Sequence, residues 1–398
     1  MSAAQGQTTD NSALFLNTQT SPLEEHTAAA RAIEIHHRLP GYASTPLTNC
    51  ESIAKDLGVG KVWVKDESSR LGLPSFKILG ASYATYLALA ERIGGIKDNW
   101  TDIDQLRSVV APLRPFTLAA ATDGNHGRAV ARMAGLLDFA ARIYVPEGTA
   151  AARIAAIEEE GAQVEVVDGD YDAAVRRSAQ DEGPHCVVIS DTSWDGYERV
   201  PEWVIDGYAT IFDEVSQSLS DRDEDEPTLV VVPVGVGALA AAAIRHYHGG
   251  RAATSRILGV EPLSAACVLA SLRAGERVTV PGPHSSIMAG LNCGTPSKIA
   301  WPRLRCGLDA VVGIDDDRAL DGMRMLAAQG IVSGETGAAA LGGLYEVLTG
   351  PHVSLREHWN LGPETRILML STEGATDPEA YTQAVGHAPP ETTSRCKE

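Results

Sequence analysis

Apolar and polar positions divide the chain into short strands and amphipathic helices in regular succession. Residues 61–65 (KVWVK) repeat with a period of two, the mark of a strand, and Gly72 and Pro74 punctuate the chain before a helical pattern rich in Ala, Leu and Tyr over 77–92. Strand-like runs at 116–122, 141–145, 163–167 and 186–190 then alternate with helical spacing over 125–136, 149–160 and 171–181. An acidic turn, 221–227 (DRDEDEP), precedes an apolar strand at 228–234, a helix to about 246, a strand at 256–260, a helix at 338–348 and a last strand at 366–370. Helical spacing also covers 26–37, ahead of a turn-rich stretch at 39–47, while 1–25 and 389–398 read as polar tails. This βαβ rhythm predicts a mostly parallel sheet architecture, and no repeat of solenoid length runs through the chain.

With 398 residues there is room for two domains and a large core. The formal charge of −19 argues against nucleic acid or an anionic membrane surface as a partner, since both would repel it. Cys50, Cys186, Cys267, Cys293, Cys306 and Cys396 are scattered without metal-ligand spacing, so no metal is expected and a reducing compartment is. Residues 1–30 lack a basic start followed by an apolar core, and no apolar run is long enough to span a bilayer, so a cytoplasmic location is expected.

Four stretches carry candidate chemistry, all at turns where a strand ends. Lys77 stands in ESSRLGLPSFKILGA, between a strand and a helix, where a side chain can reach the crevice at a sheet edge. Gly235-Val236-Gly237-Ala238-Leu239 follows an apolar strand and opens an alanine-rich helix, an arrangement that lets backbone amides close on a phosphate. A third glycine is missing for a dinucleotide site, and no GK[ST] follows for an NTPase loop, so a single phosphate suits it best. The loop ATDGNHGR (121–128) offers Asp123, Gly124, Asn125 and His126, suited to gripping a small carboxylate ligand, and LSTEGATD (370–377) adds hydroxyls at the end of the last strand. Taken singly, each has a plainer explanation: an exposed lysine, a tight turn, or a helix cap, which is also the reading of SGETG at 333–337. Taken together, lysine, phosphate loop, asparagine and late serine suggest pyridoxal 5'-phosphate bound to the lysine as a Schiff base.

On these residues the chain resembles the tryptophan-synthase-β, or fold-type II, group of pyridoxal-phosphate enzymes. DGNHGR and the lysine block carry that likeness; DTSWDGY (191–197) paired with SIMAGLNCG (286–294) makes the chain similar to the diaminopropionate ammonia-lyases within the group. The family pattern differs here at Ala81-Ser82, Asn292, Thr336 and Ala375. The resemblance implies an α/β fold of two three-layer α/β/α domains with mostly parallel sheets, the smaller (80–190) inserted in the larger (1–79 and 191–398), with the cofactor in the cleft between them. It implies that Lys77 holds the cofactor and then serves as a base at Cα, that Gly235 to Leu239 hold the phosphate, that Asn125 meets the phenolic oxygen and that Ser371 meets the pyridine nitrogen. Asp123 is implied as the second base, for the enantiomer whose Cα proton faces away from the lysine, and Asp191 as the partner of the substrate's distal ammonium, with Gly124 and His126 beside the substrate. The implied reaction is elimination of D- and L-2,3-diaminopropionate to pyruvate and ammonia by a homodimer. A lyase or dehydratase for serine, threonine or hydroxyaspartate, an aminoacrylate-forming biosynthetic enzyme, and a catalytically silent amino-acid-binding relative remain alternatives.

Overall fold

The strand Leu229–Pro233 (LVVVP) is buried at every position, and its alternate residues feed two cores. Val230 and Val232 pack on the side of the helix Ala238–His248, Leu229 and Val231 on the side of the helix Glu335–Leu348. Burial on both faces is what makes a parallel strand an unbroken apolar run. The computed structural model describes residues 13–20, 32–97, 99–122, 124–249 and 255–390. In chain order its strands are β1 (Leu14–Leu16), β2 (Leu47–Asn49), β3 (Lys61–Asp66), β4 (Thr117–Ala121), β5 (Ala140–Pro146), β6 (Gln163–Val167), β7 (Cys186–Val188), β8 (Leu229–Pro233), β9 (Arg256–Pro262), β10 (Ala310–Ile314) and β11 (Arg366–Ser371).

They form a seven-stranded sheet, β1-β10-β9-β8-β11-β3-β2, and a four-stranded sheet, β6-β5-β4-β7. Only the edge strands β1 and β2 run antiparallel to their neighbours. The four-stranded sheet is fully parallel and comes entirely from the chain between β3 and β8. This is the fold-type II α/β architecture. The helices Lys77–Arg92 and Asn125–Leu136 and the strand β6 match the sequence expectation residue for residue. The helical spacing over 26–37 is a helix over Ala32–His36, residues 26–31 lying outside the described residues, as do 391–398.

The helix Arg199–Asp221, without a counterpart in the sequence expectation, supports the lysine block. Its many β-branched and aromatic residues weaken the helical signal, yet Val204, Tyr208, Ile211, Val215 and Leu219 recur at helical spacing and are buried. It crosses the helix Lys77–Arg92 at a glycine pair: a Cβ on Gly207 would stand 2.4 Å from Leu79 O, and one on Gly80 2.5 Å from Tyr208 Cε1. Beside this crossing lies a buried ionic cluster. Lys65 Nζ donates to Glu214 Oε2 at 2.6 Å, and Arg70 spans Glu214 Oε1 at 2.6 Å and Glu67 Oε1 at 2.7 Å. Two cations thus meet two carboxylates, each pair completed by hydrogen bonds, as burial of charge requires. The cluster ties the loop that carries Lys77 to β3 and to the long helix.

Candidate active site

Lys77 opens its helix just beyond the carboxyl end of β3. The preceding loop is laced to the chain after β11: Glu67 N donates to Ser371 O and Gly374 N to Pro74 O, both at 2.9 Å. Arg70 and Leu73 exchange backbone hydrogen bonds around a turn in which Leu71 and Gly72 have φ of 51° and 75°. So anchored, Lys77 projects into a cleft at the carboxyl ends of both sheets, the place where open α/β folds bind ligands. Its Nζ donates to Asp191 Oδ2 at 2.5 Å and lies 5.5 Å from the centre of the Phe76 ring.

Asp191 follows β7 and is almost wholly buried; its other oxygen accepts from the Tyr171 hydroxyl at 3.0 Å. Burial alone would raise its carboxyl, but the Lys77 ammonium beside it, with the Tyr171 bond, holds it well below the usual carboxylate range. His126 is buried with Nε2 2.7 Å from Ile189 O, an atom that can only accept. Nε2 therefore carries the proton, and burial lowers the imidazole's basicity, leaving it neutral. Asn125 donates through Nδ2 to Glu373, whose other oxygen accepts from Thr336 N at 3.1 Å.

The glycine turn after β8 forms the opposite wall. Gly237 has φ of 95°, and a Cβ there would stand 2.4 Å from Leu304 Cδ1; a Cβ on Gly235 would stand 3.0 Å from Gly290 O. The positive φ requires glycine at Gly237, and the close approach at Gly235 leaves little room for a side chain. Val236 O accepts from Ser297 N at 2.8 Å, and Ala241 N is bonded back to Gly237 O, so the amides of the helix's first turn remain for an anion.

The structure thus brings Lys77, Asn125, His126, Asp191 and residues Gly235, Val236, Gly237, Ala238 and Leu239 around one cleft. Two expectations change. Ser371 is fully buried and donates to Ser333 Oγ at 2.8 Å; among the described residues lining the cleft, Thr372 supplies the hydroxyl at this wall, and its Oγ1 is buried without a partner. Strand register turns Ser371 inward and its successor toward the cleft. Gly124, expected beside the substrate, has its amide engaged by Thr122 Oγ1 at 2.9 Å, a local side-chain turn. Asp123 lies outside the described residues. Tyr171, Glu373 and Thr372 were not legible as site residues; the only hint was that the last two fall in the STEG stretch already singled out.

A lysine amine, a glycine cradle at a helix start and an orphaned hydroxyl opposite fit pyridoxal 5'-phosphate: one anchor each for its aldehyde, phosphate and ring nitrogen. The profile of the pyridoxal-phosphate dependent enzymes matches residues 38–373, and the chain belongs to that family. Among its members, it is 37% identical over 380 residues to the diaminopropionate ammonia-lyase of Escherichia coli strain K12, covering 93% of this chain and 94% of that one. The crystal structure of the Escherichia coli diaminopropionate ammonia-lyase in complex with D-serine superposes with a TM-score of 0.86 at 35% identity, covering 94% of this chain and 96% of that one. The structure of that lyase with an aminoacrylate–pyridoxal-phosphate azomethine gives 0.84 at 35% identity over the same shares.

Proposed function

We propose that the chain is a pyridoxal-phosphate-dependent ammonia-lyase that converts D- and L-2,3-diaminopropionate, with water, to pyruvate and two molecules of ammonia. The observation that carries this reading is the buried Asp191 carboxylate in the cleft, 2.5 Å from Lys77 Nζ and bonded to Tyr171, a counter-charge for a second ammonium on the substrate. When bound, the cofactor supplies the electron sink that acidifies the Cα proton. Lys77 would hold it, and the amides of Gly235 to Leu239 would take its phosphate. Asn125, now bonded to Glu373, would be the donor for its phenolic oxygen. Thr372 would offer the ring nitrogen a neutral hydroxyl.

As a free amine, Lys77 takes the Cα proton on its own face. Asp123 takes it on the other, which accounts for both enantiomers. The amides at the start of the helix Asn125–Leu136, with Gly124 and neutral His126 shaping the loop, receive the α-carboxylate. Asp191 keeps the β-amino group protonated, so that it departs as neutral ammonia and no general acid is required. A hydroxyl leaving group would instead need a donated proton. The released enamine hydrolyses to pyruvate and the second ammonia.

The same reading divides the chain into a large unit (1–79 and 191–398) and an inserted small one (80–190). It is supported by the derivation of the four-stranded sheet from that insert alone. A cytoplasmic homodimer completes it, the thiol state of the five described cysteines agreeing with a reducing compartment. Among the described residues no helix is long and apolar enough to cross a membrane. The test is pyruvate release from both enantiomers by wild type and by Lys77→Ala, with borohydride reduction and peptide mapping to place the cofactor. Turnover that survives Lys77→Ala overturns the assignment.

A further inference from the structure

The long helix Arg199–Asp221 reaches the catalytic cleft through Tyr208. Its ring packs against Phe76 with centroids 4.7 Å apart, and a Cβ on Gly80 would stand 2.8 Å from its Cζ. Glycine at 80 therefore lets the ring lie against the first turn of the helix that carries Lys77.

This packing calls for an aromatic ring, but nothing in it calls for a hydroxyl. Among the described residues lining the cleft, two buried hydroxyls have no hydrogen-bond partner: Thr372 Oγ1, assigned to the cofactor's ring nitrogen, and Tyr208 Oη. Tyr208 is fully buried, and an oxygen taken from water without a partner costs free energy that phenylalanine would not. Burial also holds the phenol in its protonated form; the Lys77 ammonium opposes that shift and the Asp191 carboxylate adds to it. Both charges thus lie within electrostatic reach of the hydroxyl. A neutral oxygen with free lone pairs, beside a buried carboxylate, suits an ammonium with its three N–H donors.

We propose that Tyr208 is a specificity residue: with the diamine in the cleft, its hydroxyl oxygen accepts one N–H of the distal ammonium, while Asp191 accepts another and supplies the counter-charge. The inference rests on the proposed function. A substrate with an uncharged group at that position leaves Tyr208 Oη unpaired, which is how a buried polar group disfavours the wrong ligand.

The test is Tyr208→Phe, measured on 2,3-diaminopropionate and on 3-chloroalanine, which has the same backbone and an uncharged leaving group. KM for the diamine should rise about tenfold with kcat within about twofold, while KM for 3-chloroalanine stays level or falls. The thermal midpoint of the holoenzyme should hold or rise, because the substitution deletes no hydrogen bond within the protein. Equal rises in KM for both substrates, an unchanged KM for the diamine, a lowered thermal midpoint or a weakened affinity for pyridoxal 5'-phosphate would each overturn the proposal. Should wild type fail to turn over the diamine, the proposed function falls separately, and the subsite is read from the diamine's Kd in the shift of cofactor absorbance. That Kd should rise about tenfold in Tyr208→Phe; a constant Kd, or no binding by wild type, overturns the proposal.

Discussion

Replacing Asp191 by Asn removes one charge and leaves the shape, which makes it a sharp probe of how the leaving group is recognised. In the structure the carboxylate is 4% exposed, 2.5 Å from Lys77 Nζ and 3.0 Å from the Tyr171 hydroxyl. Truncating one partner of a buried, hydrogen-bonded charge pair costs about 2–5 kcal/mol. The Asn carbonyl still accepts one hydrogen bond, which places the loss at the lower end, about 2–3 kcal/mol, or about 30- to 150-fold. Asp191 also contacts Lys77, so part of the loss is common to every substrate. The ratio of kcat/KM for 2,3-diaminopropionate to that for 3-chloroalanine cancels this shared part. A coupled pyruvate assay on both substrates should show kcat/KM for the diamine falling by about 30- to 150-fold in Asp191→Asn, and the ratio falling by the smaller share of that loss that belongs to the distal ammonium. An unchanged ratio, with equal losses on both, would mean that Asp191 serves Lys77 alone and that the distal ammonium is held elsewhere.

The other expectations touch cofactor, stereochemistry and stability. Gly237→Ala places a Cβ 2.4 Å from Leu304 Cδ1 at a φ of 95°, and should weaken cofactor binding in a fluorescence titration while costing about 1–2 kcal/mol of stability from backbone strain alone. Asp123→Asn should impair turnover of the D-enantiomer far more than the L-enantiomer; equal losses would remove the two-base assignment. Glu214→Gln leaves Lys65 and Arg70 undercompensated in the core and should lower stability by about 3–5 kcal/mol in urea unfolding. The acid limb of wild-type stability has a determined sign. Burial works to raise the Glu214 carboxyl, but Arg70 and Lys65 outweigh it and bring it from 4.5 down to about 2. The group therefore contributes up to about 3 kcal/mol above its unfolded value, lost as pH falls from about 4.5 to about 2. Glu214→Gln should flatten that limb.

Local pattern made much of this molecule legible. The helices at 77–92 and 125–136 were readable because Gly, Pro and Asn mark their starts, and the central strands because both faces are apolar. The helix Arg199–Asp221 escaped because its β-branched residues mask a helical period that only burial against Leu79 and Gly80 explains. The site divides in the same way. Lys77, Asn125 and the glycine turn lie in motifs whose local chemistry is specific, whereas Tyr171 acquires its role by meeting Asp191 across the fold. Serine at 371 and threonine at 372 could not be told apart by chemistry; strand register decides which faces the cleft. The ionic cluster depends on Arg70 meeting Glu214, a contact between distant segments that no spacing announces.

The central claim is that Lys77 drives removal of both amino groups from a diamino acid. It is tested most directly by measuring ammonia and pyruvate together from each enantiomer of 2,3-diaminopropionate, with wild type and Lys77→Ala in parallel. Wild type should release two ammonia per pyruvate from both enantiomers, and the variant should form no product. A single ammonia per pyruvate, or product formation that survives loss of Lys77, would contradict it.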